Sequence, residues 1–149
     1  MDEKKPDRIP PLKSVMTPFP WFVRIEDTLA RAKEVMEQQG IRHLPVTKDD
    51  EPVGVVTTRD IHLLESAIRD PQRRAALSVR DACVLDAFVV ETSEPLDRVL
   101  LEMARHHLGS VLVVKGKKLA GIFTVSDACR SYGEFLRAMF PDPPDDEVA

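Results

Sequence analysis

The sequence predicts an α/β (α+β) protein in which two copies of a β-α-β-β-α unit pack together. Three observations lead to this prediction. The 149 residues are 43% apolar and 31% charged, which is typical of an ordinary globular domain. A shift of 67 residues aligns the two halves of the chain without a gap. Within each half, short β-forming runs alternate with segments of helical periodicity.

The internal repeat rests on nine identities over roughly 55 aligned positions. The match is densest in the segments GVVTTRD, at 54–60, and GIFTVSD, at 121–127. The identical pairs are Val23 and Val90, Leu29 and Leu96, Arg31 and Arg98, Met36 and Met103, Val46 and Val113, Lys48 and Lys115, Gly54 and Gly121, Thr57 and Thr124, and Asp60 and Asp127. Because a unit of about 60 residues buries too little surface for much stability, we expect the halves to pack as one pseudo-symmetric module.

Each half begins with a strand and a helix. The runs WFVRI (21–25) and FVVET (88–92) are rich in β-forming residues, which predicts the first strands. Helical spacing follows at the apolar positions Leu29, Ala32, Val35 and Met36, and again at Leu96, Val99, Leu100 and Met103. The candidate N-caps are Asp27 or Thr28 in the first half and Ser93 in the second, where Pro95 suits a first helical turn.

Each half continues with a hairpin and a second helix. HLPVT turns through KDDE into PVGVVT, and SVLVV turns through KGKK into LAGIFT. The second helices begin near Thr57 and Thr124, and after Pro71 the run PQRRAAL predicts a short connecting helix. The predicted repeats span 11–68 and 78–140, with a linker helix at 69–77. We expect a disordered N-terminal segment at 1–10 and a disordered acidic tail at 141–149.

Composition excludes several classes of protein. No window of 18 uncharged apolar residues is present, which excludes a transmembrane helix, and the N-terminus lacks the apolar core of a secretory signal. Two cysteines do not make a disulfide framework, so we expect a cytoplasmic protein without membrane contact. The net charge of −4 argues against nucleic-acid binding, although a few local cations can still hold a small anion.

The motif that carries chemistry is Gly-apolar-apolar-Thr-x-x-Asp, at Gly54 to Asp60 and at Gly121 to Asp127. One interpretation is a capping box, in which the threonine and the aspartate satisfy amides at a helix start. The other is a binding site: a helix N-terminus suits a phosphate, and the aspartate can accept two hydrogen bonds from a ribose diol. The glycine would allow another segment or a ligand to approach the backbone closely. Repetition of the motif favours binding, and both interpretations remain open.

These segments resemble a known family. SVMT (14–17), GIRHLPV (40–46) and GVVTTRD (54–60), with their counterparts RDACV (80–84), HLGSVLVV (107–114) and GIFTVSD (121–127), resemble a tandem pair of CBS domains, the cystathionine-β-synthase-type domains that form a Bateman module. The resemblance implies a regulatory module that requires no cofactor and binds an adenine nucleotide (AMP, ADP or ATP) or S-adenosylmethionine between the repeats. We expect a stand-alone homodimer that signals to a separate effector protein.

The resemblance also implies binding residues. In the family, the Asp of T-x-x-D holds the ribose diol, the adjacent Thr or Ser assists, and adenine lies between apolar residues. Carried over, the first site comprises Thr17, Ile41, Arg42, His43, Pro45, Thr57, Arg59 and Asp60. The second site comprises Leu108, Ser110, Thr124, Ser126 and Asp127.

The two predicted sites differ in charge. Arg42, His43 and Arg59 surround the first T-x-x-D motif. The neutral residues at the equivalent positions of the second half are Gly109, Ser110 and Ser126. We therefore predict that a multiply charged nucleotide prefers the first site, and that the second is weaker, empty or suited to a less charged adenosyl ligand. Arg130 would reduce this contrast if the fold turned it toward either site.

Metal binding and catalysis are disfavoured. The histidines and cysteines, His43, His62, His106, His107, Cys83 and Cys129, show no CxxC, HxxxH or HExxH spacing, so we expect no metal site. Cys83 is expected to pack in the core. Because neither a G-x-S-x-G elbow nor a P-loop is present, we expect no enzymatic activity.

The alternative function is that of a structural or adaptor protein that acts through dimerisation or partner binding, with the T-x-x-D motifs serving only as caps.

The last predicted helix carries an apolar stripe beyond the end of the repeat. Its members follow i, i+3, i+4, i+7, i+8 spacing and are Tyr132, Phe135, Leu136, Met139 and Phe140. The stripe packs on its own module or forms a homodimer or partner contact. Trp21, with its neighbours Phe19 and Phe22, is interpreted as core or interface rather than as a platform for base stacking.

Overall fold

The computed structural model describes residues 8–142, so most of the two predicted disordered ends lies outside it. Its first half contains a 3-10 turn (Leu12–Ser14), β1 (Thr17–Pro18), β2 (Val23–Arg24), α1 (Leu29–Gln39), β3 (His43–Lys48), β4 (Glu51–Thr57) and α2 (Thr58–Ala67). A short helix, α3 (Pro71–Ala75), connects the halves. The second half contains α4 (Val79–Ala82), β5 (Val89–Glu91), α5 (Leu96–His106), β6 (Ser110–Lys115), β7 (Lys118–Thr124) and α6 (Val125–Met139). The predicted fold class is confirmed.

The hydrogen-bond register of the two sheets repeats with the same shift of 67 residues. β2 is parallel to β3 and β5 is parallel to β6, with Val23 opposite Val46 and Val90 opposite Val113. Both hairpins are antiparallel and carry an irregularity at the same place, after Val46 in one and after Val113 in the other. The repeat seen in the sequence is therefore a repeat of backbone geometry.

The N-termini of α1 and α5 are completed in different ways. Thr28 caps α1 as predicted, because its side chain accepts a hydrogen bond from the Arg31 N–H. The prediction for Ser93 was wrong, since Pro95 occupies the N-cap position of α5 and makes no side-chain bond. The N–H of Leu96 instead donates to the Pro10 carbonyl at 3.2 Å. A carbonyl from outside the helix thus replaces the missing side-chain cap.

The two sheets exchange their edge segments, which the sequence analysis did not predict. β1 belongs to the first half of the chain but pairs with β7, with Thr17 opposite Ile122. In the reciprocal arrangement, Val84 of the second half pairs with Val55, through backbone hydrogen bonds of 2.9 and 3.1 Å. Each half therefore completes the sheet of the other.

The glycine of each repeated motif lies directly beneath the exchanged segment. A Cβ at Gly54 would meet the Val84 carbonyl and lie 2.5 Å from the Cys83 Sγ. A Cβ at Gly121 would meet the Met16 Sδ and lie 2.9 Å from the Thr17 carbonyl oxygen. The close approach expected at these glycines is confirmed, and the approaching group is another segment of the chain.

Each half has its own apolar core, and a smaller cluster joins them. The first core is built around Leu44, Val46 and Val56, and the second around Val111, Val113 and Phe123. Cys83 packs against the first core, as predicted. The joining cluster comprises Val55, Leu112 and Ile122, with Ala87 and Leu119 at its edge. Between residues 8 and 142, no helix has the length and apolar character needed to cross a membrane.

We predict that Gly54→Ala and Gly121→Ala each lower the melting temperature by about 4–10 °C, because overpacking costs about 1–3 kcal/mol and a backbone carbonyl, of Val84 or of Thr17, obstructs each added Cβ. Gly133→Ala is the matched control, since nothing lies within 4 Å of its added Cβ and alanine favours the α6 helix. Differential scanning calorimetry measures the three variants. Equal melting temperatures for all three would contradict the close packing of the exchanged segments.

Candidate functional site

A cleft with a volume of about 730 Å³ opens where the segment 17–21, the start of β3 and the N-terminus of α6 meet. Its lining residues are Thr17, Pro18, Phe19, Pro20, Trp21, Gly40, Ile41, Arg42, His43, Pro45, Ile122, Thr124, Ser126, Asp127 and Arg130. The cleft lies between the two halves, because β1 crosses to the sheet that leads into α6. Clefts of this size between packed units are common positions for small ligands.

The N-terminus of α6 provides a buried carboxylate at this cleft. Asp127 Oδ2 accepts hydrogen bonds from the Thr124 N–H (2.8 Å) and the Thr124 hydroxyl (2.9 Å), and the Asp127 N–H donates to the threonine oxygen (3.3 Å). Its other oxygen, Oδ1, lies 3.3 Å from an Arg130 nitrogen. Although Asp127 is only 5% exposed, the cleft reaches it. One carboxylate oxygen therefore caps the helix, and the other faces an exposed guanidinium.

The first T-x-x-D motif forms the same capping box at the start of α2. Asp60 Oδ2 accepts from the Thr57 hydroxyl at 2.6 Å and from the Thr57 N–H at 3.2 Å. The capping interpretation is thus confirmed for both motifs. Capping engages Oδ2 in each aspartate, so it does not exclude a ligand at Oδ1.

Positive charge reaches the cleft from both halves, through Arg42 of the first half and Arg130 of α6. The His43 ring also enters the cleft from the first half. Gly40 ends α1 with φ of 62°, a left-handed conformation that glycine adopts without strain, and the chain then turns into β3. This turn brings Ile41 and Arg42 to the cleft.

The structure divides both predicted residue sets. Of the first set, Thr17, Ile41, Arg42, His43 and Pro45 line the cleft, whereas Thr57, Arg59 and Asp60 do not. Of the second set, Thr124, Ser126 and Asp127 line it, whereas Leu108 and Ser110 do not. The cleft therefore combines members of both predicted sets, because the exchange of edge segments brings Thr17 to the second T-x-x-D motif. The role of these residues in binding a ligand stays a prediction.

Seven further residues of the cleft were not among the predicted site residues. They are Pro18, Phe19, Pro20, Trp21, Gly40, Ile122 and Arg130. Arg130 was foreseen only as a conditional contributor, and its turn toward the cleft adds a second guanidinium group. Under the 67-residue shift its counterpart is Leu63, so the charge is specific to this side of the module. The sequence contained one indication that residues 19–21 lie outside the regular elements, namely the run Pro-Phe-Pro-Trp at 18–21, which is compatible with neither a helix nor a central strand.

His43 lies at the boundary between the halves. Besides lining the cleft, its Nε2 occupies the space beside Gly109, where an added Cβ would lie 2.8 Å away. Burial lowers the pKa of His43, the charge of Asp60 partly opposes this, and Arg42 lowers it further. Burial, together with the same Asp60 charge, raises the pKa of the nearby Cys83 thiol to about 11.

The remaining predictions concern metals and apolar surfaces. Across 8–142 no group of three or more His, Cys, Asp or Glu side chains is arranged to hold a metal ion.

The apolar stripe of α6, from Tyr132 to Phe140, is exposed, so the interpretation in which it packs on its own module was wrong. Phe19, Trp21 and Phe22 are also exposed, which excludes a core role for them. An interface role for these aromatic residues stays a prediction.

Comparison with known proteins gives a consistent result. The family model for the CBS domain matches residues 12–64 and 79–134. A relative in Bacillus subtilis, the protein YlbB, is 33% identical over 118 residues, which is 78% of each chain. The crystal structure of AcuB from Vibrio cholerae is 25% identical with a TM-score of 0.78, and the match covers 91% of this chain and 99% of that one.

Two further solved structures share the fold and contain adenosine derivatives. The CBS domain pair of protein MJ0100, in complex with 5′-methylthioadenosine and S-adenosyl-L-methionine, has a TM-score of 0.72 and 22% identity. That match covers 85% of this chain and 98% of that one. CBSX2 in complex with AMP has a TM-score of 0.73 and 22% identity, over 83% of this chain and 97% of that one. At these identities the likeness shows the fold.

We predict that His43 makes the stability of the protein fall in acid. Because the folded-state pKa of His43 is lowered, the unfolded chain binds the proton more readily, so the stabilising contribution is present above about pH 6.5 and is lost as the pH falls through the lowered value. Urea unfolding of the wild type and of His43→Gln between pH 5 and 8 measures this. The difference in unfolding free energy between the two should narrow toward pH 5, and a constant difference would contradict the prediction.

Proposed function

Since the chain belongs to the CBS domain family, with two copies of the domain, we propose that it is a regulatory module that binds an adenosine-containing ligand in the cleft between its repeats. Adenine nucleotides (AMP, ADP or ATP) are the proposed class. The observation that carries the proposal is the meeting of the Asp127 carboxylate with Arg42, His43 and Arg130 in one inter-repeat cleft.

The proposed ligand matches the chemistry of this cleft. A carboxylate at a helix N-terminus can accept hydrogen bonds from a ribose diol, as acidic residues do in dinucleotide-binding folds. Asp127 Oδ1 has the exposed Arg130 as its neighbour, so a diol could replace that contact. Ile41, which is half-buried, provides apolar surface for a base within the same cleft. The MJ0100 and CBSX2 complexes, which contain adenosine derivatives in the same fold, support this class of ligand.

Charge favours a phosphorylated ligand over a cationic one. The two guanidinium groups of Arg42 and Arg130 line the cleft together with a single carboxylate, Asp127. Guanidinium groups bind phosphate through paired hydrogen bonds, and they repel a sulfonium. We therefore expect affinity to rise with phosphate number and expect S-adenosylmethionine to bind more weakly than ATP.

The proposed mechanism is differential binding. The cleft is built from both repeats, so a ligand that bridges them stabilises one relative arrangement over others. A separate effector protein would respond to that arrangement, and the module itself would carry out no catalytic step. The two free cysteines, Cys83 and Cys129, are compatible with the reducing cytoplasm in which we place this function.

We predict that AMP, ADP and ATP raise the melting temperature of the wild type, and that Asp127→Asn abolishes this effect. At a ligand concentration 100 times the dissociation constant, linkage gives about 2.7 kcal/mol, or roughly 5–10 °C for a domain of this size. A thermal-shift series with adenosine, the three nucleotides and S-adenosylmethionine measures the effect.

Asp60→Asn is the matched control for this experiment. It removes the same kind of capping carboxylate from α2, but Asp60 does not line the cleft. Both variants should lose similar basal stability, and Asp60→Asn alone should keep the nucleotide effect. A nucleotide effect that survives Asp127→Asn and disappears in Asp60→Asn would contradict the assignment of the cleft.

The exposed stripe on α6 favours a second candidate function, that of an adaptor that acts through dimerisation. Its five residues, from Tyr132 to Phe140, are uncovered within residues 8–142, and the Tyr132 and Phe135 rings stack at 6.4 Å. Large contiguous apolar surfaces on soluble proteins mark association sites. The dimer and the adaptor function both require this surface, but only the adaptor function is independent of nucleotide.

We predict that the paired substitution of Phe135→Ser and Phe140→Ser converts a dimer to a monomer without loss of nucleotide binding, because the stripe does not line the cleft. Sedimentation equilibrium gives the mass, and thermal shift gives the binding. Leu63→Ser, at an exposed leucine on α2, is the control and should leave the mass unchanged. An unchanged mass for the paired variant would contradict the proposed interface.

A further inference from the structure

Two aromatic side chains at the mouth of the cleft are exposed to solvent. They belong to residues 17–22, a segment named the strap. Phe19 is 92% exposed and Trp21 is 55% exposed, and both line the cleft. Phe22, which follows them, lines a different groove, beside Thr47 and Leu119, and Phe19 borders that groove as well. The strap therefore places Trp21 at the cleft, Phe22 away from it and Phe19 between the two.

The counterpart of Trp21 in the second half has a different environment. Under the 67-residue shift, Trp21 corresponds to Phe88, which packs against the second core. Phe88 is held there by a backbone hydrogen bond of 2.9 Å from the Leu112 N–H to its carbonyl. The residue equivalent to Leu112 is Pro45, which has no N–H to donate. Because this bond cannot form in the first half, β2 begins only at Val23, one residue later than the equivalent start of β5, and residues 19–22 of the strap belong to neither strand.

The conformation of Phe19 is costly in two ways. Its φ of 46° is left-handed, a region that disfavours residues other than glycine, asparagine and aspartate. Its ring is also almost completely exposed to water. The backbone is fixed there by the hydrogen bond from the Phe19 N–H to the Ala120 carbonyl at 3.1 Å, and by Pro18 and Pro20 on either side. Strain of this kind is typical of ligand clamps and binding loops.

From this geometry we infer that Trp21 and Phe19 form a stacking subsite at the mouth of the cleft, which holds the planar base of the ligand. The inference rests on the proposed function and adds to it a pair of residues that determine specificity. The polar end of the cleft, with Asp127 and the cations, would hold the sugar and phosphate. The rings would cover the face of the base, since purine faces stack well on indole and phenyl rings. A ligand that lacks a planar ring would lose this contribution.

Trp21 is the one tryptophan in the sequence, so its fluorescence reports directly on the subsite. We predict that AMP quenches this emission, whereas ribose 5-phosphate, which lacks the base, leaves it unchanged even at concentrations that stabilise the protein. Trp21→Leu should raise the dissociation constant for AMP by about tenfold, as expected for the loss of one stacked base. Isothermal titration calorimetry measures the dissociation constants.

Two further variants separate stacking from folding. Phe22→Leu is the matched control on the same strap and should leave the dissociation constant for AMP within about twofold of the wild type. Phe19→Gly removes a ring while placing glycine at a positive φ, so it should weaken AMP binding without lowering the melting temperature of the free protein.

The outcomes distinguish this inference from the proposed function. If AMP stabilises the wild type but does not quench Trp21, and Trp21→Leu binds AMP as well as the wild type, the subsite is wrong and the proposed function stands. Equal losses of affinity in Trp21→Leu and Phe22→Leu would assign the effect to the folding of the strap and would also overturn the subsite. If no nucleotide stabilises the wild type, the proposed function fails and the subsite fails with it.

Discussion

The exchange of edge segments between the two sheets is the constraint on which the rest of this structure depends. Thr17 pairs with Ile122, and Val84 pairs with Val55, so neither half has a complete sheet without the other. The exchanged backbone passes so close to Gly54 and Gly121 that a Cβ at either position would collide with it. A unit of about 60 residues has too small a core for independent stability, and the exchange provides the shared packing that it lacks.

The same exchange determines the composition of the cleft. Because β1 lies beside β7, the strap reaches the N-terminus of α6, and the cleft takes its carboxylate from the second repeat and the Arg42 guanidinium from the first. The capping and binding interpretations of Asp127 are compatible for a related reason. Oδ2 satisfies Thr124, whereas Oδ1 faces only the exposed Arg130. A ligand that bridges Asp127 and Arg42 would therefore contact both repeats at once, which is what a regulatory module needs if binding is to change their arrangement.

Departures from the repeat mark the places where the two halves have different properties. Pro45 replaces Leu112 and removes one backbone donor, so Trp21 lies at the cleft while its counterpart Phe88 packs in a core. Gly109 replaces Arg42, and the space that it leaves is taken by the His43 ring. A symmetric pair of halves would present two equivalent sites, whereas these substitutions place Arg42 and the exposed Trp21 at this cleft.

The sequence by itself determined the fold class, the repeat, the main strands and helices of each half and the capping boxes, because apolar periodicity, turn residues and the T-x-x-D spacing all act within about ten residues along the chain. It also indicated the residue types of the cleft, including Thr17, His43 and Asp127. Only the tertiary structure decided which of them meet. Pairing between distant strands depends on backbone hydrogen bonds that the local pattern does not specify. The sequence therefore suggested Asp60 as the partner of Thr17, whereas in the fold the aspartate that shares the cleft with Thr17 is Asp127. The exposure of Trp21 was decided in the same way, by a hydrogen bond that Pro45 cannot donate.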